Sequence, residues 1–201
     1  PAILVGGFVR DALLGRPQRG DGDVVVEGDA TRVARRLADR TGARVVTHDR
    51  FGTALVTGPD GRSFDLVSAR RETYPRPGAL PVVEPGTVED DLARRDFTIN
   101  AMARPLSGPR AGALLDPFDG RGDLAEGRIR VLHARSFVDD PSRLLRAVRY
   151  AARLGFSLAE DTVVPARDAA GTLTLANARV RTERHRVLQE DTAADALDRA
   201  R

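Results

Sequence analysis

The 201-residue sequence contains no cysteine, no tryptophan and no lysine, and it has a single methionine. The absence of cysteine excludes disulfide bonds and thiolate metal sites and fits a cytoplasmic location. No apolar run approaches the roughly 20 residues that a membrane-spanning helix needs, and we identify no signal peptide. The sequence therefore predicts a cytoplasmic protein without a membrane partner.

All basic side chains are arginine, 32 of them against 29 acidic residues, which gives a formal net charge of +3. The hydrophobic fraction of 41% is that of an ordinary globular protein. Arginine binds phosphate through a planar fork of donors. The composition therefore permits a nucleic-acid partner, although it does not demand one.

A strand, a glycine pair and a short helix open the sequence. Residues 3–5 predict a buried strand, and Gly6 and Gly7 follow it. Glycine lacks a side chain, so backbone N–H groups there can come close to a phosphate. Residues 9–14 predict a short helix that ends at Gly15.

Two acidic residues open the next predicted strand, residues 21–26. Residues two apart on a strand face the same side, so Asp21 and Asp23 are expected to project together. Paired carboxylates suit a hard divalent cation such as Mg²⁺, which would neutralise their repulsion. The alternative is an aspartate pair that only caps a turn.

The next part of the chain predicts an α/β domain with a mixed sheet. Hydrophobic spacing indicates a helix over residues 30–40 and strands over 43–47, 53–57 and 63–69. Asp65 lies on the last of these strands, which we expect near the strand of Asp23. It is a candidate third acid of the metal site, or a solvent-facing residue on an edge strand.

Prolines dominate residues 70–86, for which we predict an irregular loop. The motif Arg-Arg-Asp-Phe-Thr-Ile-Asn-Ala follows a little later. Arg95 offers a bidentate fork for triphosphate oxygens. Asp96 is predicted to hold that arginine or to cap a helix that begins near Thr98, and Asn100 to reach a sugar hydroxyl. The alternative is a capped surface helix with incidental charges.

From residue 136 the pattern predicts helices to the end of the sequence. One helix is expected to begin at Pro141 and to end at Gly155. Arg143, Arg146 and Arg149 recur every three residues along one of its faces. Such a row repels itself unless an anion lies among its members, which favours a triphosphate or an RNA backbone over a merely solvated face.

Four blocks of the sequence, in this order, resemble the bacterial tRNA nucleotidyltransferase and poly(A) polymerase family. They are Gly-Gly-x-Val-Arg-Asp with Leu-Leu-Gly and Asp-x-Asp, then Arg-Arg-Asp-Phe-Thr-Ile-Asn-Ala, then Asp139-Asp140-x-x-Arg143, and a segment around Glu183 and Arg184. The resemblance implies a polymerase-β-like nucleotidyltransferase head with a mixed sheet over residues 1–135. An all-α neck would follow over residues 136–201, where Glu183 and Arg184 would tie helices together.

The resemblance also implies residue roles. Asp140 and Arg143 would pair with the Watson–Crick edge of the incoming base, although Asp139 stands where the family has glutamate. A larger set of residues would hold the metal and the nucleotide. Asp21 and Asp23 would hold Mg²⁺, and Asp65 would join them in catalysis. The nucleotide would be held by Gly6, Gly7, Arg10, Arg95 and Asn100, with Arg146 and Arg149 assisting.

The implied activity is template-independent addition of C or A, from CTP or ATP, to the 3′ end of tRNA with release of pyrophosphate. Within the family this covers CCA addition, separate CC and A addition, and poly(A) tailing. Two other classes of protein stay open, namely a non-catalytic tRNA-binding module and a small-molecule nucleotidyltransferase. The latter would need no base-reading pair.

Overall fold

The computed structural model describes residues 2–17, 22–48 and 52–199, so that Asp21 lies outside the described residues. The chain divides into two compact units. Unit 1 comprises Pro1–Glu72, Val83–Arg95 and Ile99–Gly120, and unit 2 comprises Thr73–Val82, Asp96–Thr98 and Arg121–Arg201. The boundary near residue 135 that the sequence suggests falls inside unit 2 and stays a prediction.

Unit 1 is built on a six-stranded sheet with the strand order β3-β4-β5-β2-β1-β8. Among its described strand pairs only β2 and β5 run parallel, while the others are antiparallel. This mixed sheet confirms the predicted fold class. The strands are β1 (Ala2–Val5), β2 (Gly22–Val26), β3 (Arg44–His48), β4 (Thr53–Thr57), β5 (Ser63–Ser68) and β8 (Ala103–Pro105).

Helices cover both faces of this sheet. Val24 and Val26 of β2 pack against Ala30 and Ala34 of helix α2 (Ala30–Thr41). On the opposite face, Val25 packs in a cluster that includes Val88 and Leu92 of helix α3 (Val88–Ala93). Because alternate residues of a strand face opposite ways, the apolar run in β2 supplies both cores. A shorter helix, α1 (Gly7–Leu13), follows β1.

The prediction of an irregular loop over residues 70–86 is wrong in part, because this segment contains two strands. These are β6 (Arg70–Thr73) and β7 (Val82–Pro85), which pair with each other as a two-stranded sheet. Proline removes a backbone donor, which an edge strand tolerates. The prolines at positions 75, 77 and 81 lie between the strands, and Pro85 ends β7.

The predicted helix near Thr98 is also wrong. Only a three-residue 3₁₀ turn, Thr98–Asn100, forms there. The α-helix of this region is α3, which lies before the motif and which the sequence analysis did not predict. Thr87 caps it in a capping box with Asp90.

Unit 2 is mainly helical. Helix α6 (Ser142–Leu154) begins after Pro141 and ends at Gly155, whose φ is 73°, as the sequence predicts. It packs against α8 and α9, with Ala152, Val187 and Ala196 in the shared core. The helices are α4 (Gly120–Glu126), α5 (Ser136–Asp139), α6, α7 (Glu160–Ala169), α8 (Ala178–Leu188) and α9 (Ala193–Arg199), and two short strands, β9 (Arg128–Ile129) and β10 (Ser157–Leu158), pair beside them.

In the described part of the chain, no helix combines the length and the apolar character needed to cross a membrane.

Candidate functional site

Two carboxylates lie side by side on the parallel strands of unit 1. Asp23 of β2 and Asp65 of β5 are register partners, so their side chains leave the sheet on the same face. Asp23 keeps an exposed surface, but partial burial of its carboxylate raises its pKa. The neighbouring carboxylates of Asp65 and Asp91 raise this pKa as well, while Arg95 and Arg94 lower it.

The chemistry of these two side chains fits a divalent cation. Carboxylate oxygens are the hard donors that Mg²⁺ prefers. Burial is the main cause of the raised pKa of Asp23 and the charge of Asp65 adds to it, and a cation would favour the ionised form against both. Among the described residues no group of three or more acidic or histidine side chains is close enough to hold a metal ion. Asp21, the other predicted ligand, lies outside the described residues.

Gly6 follows β1 directly beside the Asp23 end of β2. Its φ is +73°, and a Cβ atom there would lie 2.6 Å from Arg95 Nη1 and 3.7 Å from Asp23 Oδ2. The Gly6 N–H donates to the carbonyl oxygen of Met102 at 3.2 Å. The structure therefore gives Gly6 a second reason to be glycine, because Arg95 occupies the space of a side chain. Gly7 is the first residue of α1.

The guanidinium of Arg95 is held by Asp91, a residue that was not among the predicted site residues. Asp91 is fully buried in α3, and its Oδ2 accepts from Arg95 Nη2 at 2.9 Å while its Oδ1 accepts from Arg94 Nη2 at 2.6 Å. The spacing of four residues between Asp91 and Arg95 was the available signal. Within the described residues, the buried Nε of Arg95 has no hydrogen-bond partner.

Arg10 and Asn100, both predicted to contact the nucleotide, meet each other inside unit 1. Arg10 Nη1 donates to Asn100 Oδ1 at 2.7 Å, and Arg10 Nε donates to Asp11 Oδ1 at 2.8 Å. Both Arg10 and Asn100 are buried. The structure thus joins two predicted residues that lie 90 positions apart, and it places them within the protein's own hydrogen-bond network.

In unit 2, Asp140 borders a cleft of about 360 Å³. Its Oδ1 accepts from the backbone N of Ser142 at 3.0 Å and from the Ser142 hydroxyl at 2.6 Å. Its Oδ2 lies 2.9 Å from Arg179 Nη1, a pairing that the sequence analysis did not anticipate. The cleft is lined by Asp140, Ser142, Arg146, Ala178, Arg179, Thr182, Glu183 and Arg186.

Arg143, the predicted partner of Asp140 in base reading, is a buried residue of α6. Its Nη1 donates to the hydroxyl of Ser136 at 2.6 Å. It is not among the residues that line the cleft. Its predicted role therefore stays a prediction, and the structure shows it here as an internal contact between α5 and α6.

The row formed by Arg143, Arg146 and Arg149 was expected to need a bound anion. For Arg146 and Arg149, carboxylates of the protein itself provide the negative charge. Arg146 Nε donates to Asp96 Oδ2 at 2.7 Å. Asp96 was expected to hold Arg95 or to cap a helix; instead it accepts from Arg146 and from the backbone N of Phe97. Burial by itself lowers the pKa of Arg146, but the charges of Asp96, Tyr150 and Glu183 and the hydrogen bond to Asp96 together raise it.

Arg149 has two carboxylate partners of its own. Its Nε donates to Glu183 Oε1 at 2.6 Å and its Nη1 to Glu190 Oε1 at 3.1 Å. Glu183 thus makes the link between α6 and α8 predicted for it, whereas Arg184 is exposed. An external anion is therefore not required to neutralise Arg146 and Arg149, and their predicted part in phosphate binding remains untested.

The mixed sheet carries adjacent carboxylates beside a glycine turn and an arginine held by Asp91, an arrangement that fits a nucleotidyltransferase head domain. The sequence model of the family described as "Poly A polymerase head domain" matches residues 2–130. The chain belongs to this family.

Two curated relatives show how similar the sequence is to characterised members. An A-adding tRNA nucleotidyltransferase of Halalkalibacterium halodurans is 48% identical over 182 residues, which are 90% of this chain and 42% of the relative. A CC-adding tRNA nucleotidyltransferase of Deinococcus radiodurans is 48% identical over 166 residues, which are 83% of this chain and 44% of the relative. The chain therefore spans less than half the length of these relatives.

Solved structures are similar over nearly the whole chain. A CCA-adding enzyme in an apo form has a TM-score of 0.93 and 41% identity, covering 99% of this chain and 47% of that one. A tRNA nucleotidyltransferase complexed with a primer tRNA and an incoming ATP analogue has a TM-score of 0.85 and 40% identity, covering 98% of this chain and 55% of that one.

Proposed function

We propose that this chain is a template-independent RNA nucleotidyltransferase that adds C or A, from CTP or ATP, to the 3′ end of tRNA. The observation that supports this most is the adjacency of Asp23 and Asp65 beside Arg95. The named activities of the relatives, which are A addition, CC addition and CCA addition, give the substrate class. With tRNA as its substrate, the protein would work in the cytoplasm.

In this proposal the 3′ oxygen of the tRNA attacks the α-phosphorus of the nucleoside triphosphate. A new P–O bond forms, the bond between the α-phosphorus and its bridging oxygen breaks, and pyrophosphate leaves, while the hydroxyl proton passes to solvent. Asp23 and Asp65, with Asp21, would hold Mg²⁺. When bound, the metal supplies a lower pKa for the attacking hydroxyl and neutralises charge on the phosphates.

Arg95 is the proposed principal contact to the triphosphate. Its guanidinium is fixed by Asp91 and packed against Gly6, while its buried Nε lacks a protein partner within the described residues. The planar guanidinium carries further N–H donors in a fork that matches phosphate oxygens. Gly6 and Gly7 would complete this phosphate site.

Arg10 and Asn100 would take part in nucleotide binding as a pair. Their mutual hydrogen bond fixes the amide of Asn100 at the end of the 3₁₀ turn. The Asn100 amide, which can both donate and accept, would contact the ribose hydroxyls. Arg146 and Arg149 are proposed as assisting charges, although both are already paired with carboxylates.

Asp140 and Arg143 are the proposed readers of the incoming base. A carboxylate accepts a hydrogen bond from an exocyclic amino group, which C and A both carry, and a guanidinium donates to ring acceptors. U and G would place an acceptor against the carboxylate or a donor against the guanidinium, and these buried groups would stay unpaired. The cleft beside Asp140 supports this assignment of the carboxylate.

The function is tested by incubating the chain, in excess, with tRNAs that end before CCA, after the first C, or after CC. Each labelled NTP is supplied in turn with Mg²⁺. We expect incorporation of C, of A, or of both, on the primer that each activity requires. The pattern across primers separates CC, A and CCA addition, and repeated addition of A to any end would identify a poly(A) polymerase.

Asp23→Asn is the decisive variant, because it removes the charge that would hold the metal while it keeps the size of the side chain. We expect incorporation to fall below detection. Asp39→Asn, at an exposed position of α2, is the matched control and should behave as the wild type. Full activity in Asp23→Asn would exclude the proposed site.

Arg143→Ala tests the base-reading assignment. We expect it to reduce the preference for A and C over G and U, measured as the ratio of incorporation rates. Because Arg143 is buried and bonded to Ser136, the unfolding temperature of the variant is measured as well. A folded variant with unchanged selectivity would show that Arg143 is a structural residue only.

A further inference from the structure

Arg179 connects the carboxylate of Asp140 to a separate segment of unit 2. It is the second residue of α8, and its side chain is 23% exposed. Its Nη1 lies 2.9 Å from Asp140 Oδ2. Because the two residues come from different helical segments, this ion pair is a tertiary contact that only the packing of unit 2 creates.

The other end of the Arg179 guanidinium is bonded to the segment between β6 and β7. Its Nη2 donates to the carbonyl oxygen of Gly78 at 3.1 Å and to that of Ala79 at 2.9 Å. Its Cζ lies 5.9 Å from the ring centroid of Tyr74. A planar guanidinium with donors on several sides is therefore fixed by contacts in different directions.

The segment around Gly78 is itself attached to the helical part of unit 2. The Gly78 N–H donates to the carbonyl oxygen of Val138 at 3.0 Å. The side-chain amide of Asn177 donates to the carbonyl oxygen of Gly78 at 3.3 Å. Arg179 thus bonds to backbone carbonyls that are themselves held in place, which makes it a rigid support for Asp140.

Asp140 is consequently held through both of its oxygens. Ser142 donates twice to Oδ1, and Arg179 approaches Oδ2. A carboxylate has about four acceptor sites, so these three contacts leave acceptor capacity on Oδ2 at the edge of the cleft. Ser142 anchors Oδ1, and because the carboxylate is planar and rigid, Arg179 limits its rotation about that anchor and so sets the position of Oδ2.

We infer that Arg179 is a positioning residue that orients the Asp140 carboxylate and thereby sets the preference for bases that carry an exocyclic amino group. The inference rests on the proposed function, in which Asp140 reads the base. Without Arg179 the carboxylate can rotate about its side-chain bonds, and a misdirected acceptor discriminates poorly between an amino group and a carbonyl. Contacts to the triphosphate would be unaffected, since they involve other residues.

The test is an equilibrium titration of the 201-residue chain with ATP, CTP, GTP and UTP, each as its Mg²⁺ complex. The wild type is expected to bind ATP, CTP or both more tightly than GTP and UTP. In Arg179→Ala this ratio of affinities should fall about tenfold. Arg179→Lys, which keeps the charge but loses the planar fork, should lie between the two.

Arg184→Ala is the matched control, because Arg184 is an exposed arginine on the same helix. It should retain the wild-type ratio. If the role of Arg179 were purely structural, Arg179→Ala would weaken binding of all four nucleotides equally, or would lower the unfolding temperature without changing the ratio of affinities. Either result, or an unchanged ratio in Arg179→Ala, would overturn the inference.

A double-variant cycle shows whether Arg179 acts through Asp140. In an Asp140→Ala background, Arg179→Ala should change the ratio of affinities no further, and an additional loss there would contradict the inference. Failure of the proposed function would look different. In that case the wild type itself would bind no nucleotide, or would bind all four alike.

Discussion

At the scale of single residues, Gly6 shows how backbone conformation and a functional side chain share one position. Its φ of +73° lies in the left-handed region, and the space of its missing Cβ is taken by Arg95 Nη1. Any residue with a side chain at this position would therefore meet both backbone strain and a steric clash with Arg95. The sequence motif fixes a glycine there, whereas the identity of the neighbour comes from the fold.

We predict that Gly6→Ala destabilises the protein by more than the roughly 1–2 kcal/mol of left-handed backbone strain alone. The added methyl group would also displace Arg95 and weaken binding of Mg²⁺-ATP or Mg²⁺-CTP at least about tenfold. Urea unfolding and nucleotide titration measure the two effects.

The control for this prediction is Gly15→Ala. Gly15 has a similar φ of +64°, but nothing lies within 4 Å of its would-be Cβ. It should show the strain and no loss of nucleotide affinity. Equal effects of the two variants on affinity would mean that Arg95 does not contact the nucleotide.

At the scale of secondary-structure elements, the contact between α6 and α8 depends on a buried carboxylate. Glu183 accepts from Arg149 at 2.6 Å and from Arg186 at 3.3 Å. Within α6 itself, the ring of Tyr150 lies beside the same guanidinium, with the Arg149 Cζ 4.8 Å from its centroid. Charges in α6 are thus neutralised by charges in α8.

We predict that Glu183→Ala costs about 3–5 kcal/mol of unfolding free energy, because it leaves the buried Arg149 without its nearest counter-charge. Chemical denaturation followed by circular dichroism measures the loss. Glu126→Ala is the control, since Glu126 pairs with Arg128 at the exposed surface at 2.8 Å. It should cost less than about 1 kcal/mol, and a similar cost for both would disprove the role given to burial.

At the scale of the whole molecule, ion pairs of this kind make stability depend on pH. Burial raises the pKa of Glu190, but hydrogen bonds and charges from Arg153 and Arg149 outweigh it and lower the pKa below its ordinary 4.5. A carboxylate with a lowered pKa in the folded state stabilises that state above its unfolded pKa. The stabilisation disappears as the pH falls through the folded value.

We therefore predict that Glu190→Gln lowers the unfolding temperature at pH 7 and that its difference from the wild type shrinks as the pH falls below about 4.5. Thermal unfolding at a series of pH values tests this. A difference that stays constant from pH 7 to pH 3 would show that Glu190 stabilises through packing and not through its charge.

Much of the fold could be predicted because its signals are local. The alternation of the strands, the helix over residues 30–40 and the end of α6 at Gly155 depend on residues a few positions apart. The errors are also local in origin. The prolines between residues 75 and 85 obscured the two-stranded sheet of β6 and β7. The capping box of Thr87 and Asp90 was overlooked, so that the helix was expected after the motif and not before it.

The candidate site also has features that the sequence predicts and features that only the fold decides. The sequence by itself determined which chemical groups are present, namely the acids, the glycine turn and the arginines, because each belongs to a short motif. Only the tertiary structure decided their partners. Glu183 and Glu190 neutralise Arg149, and Arg179 orients Asp140. Contacts of this kind between distant segments depend on how the helices pack and not on sequence spacing.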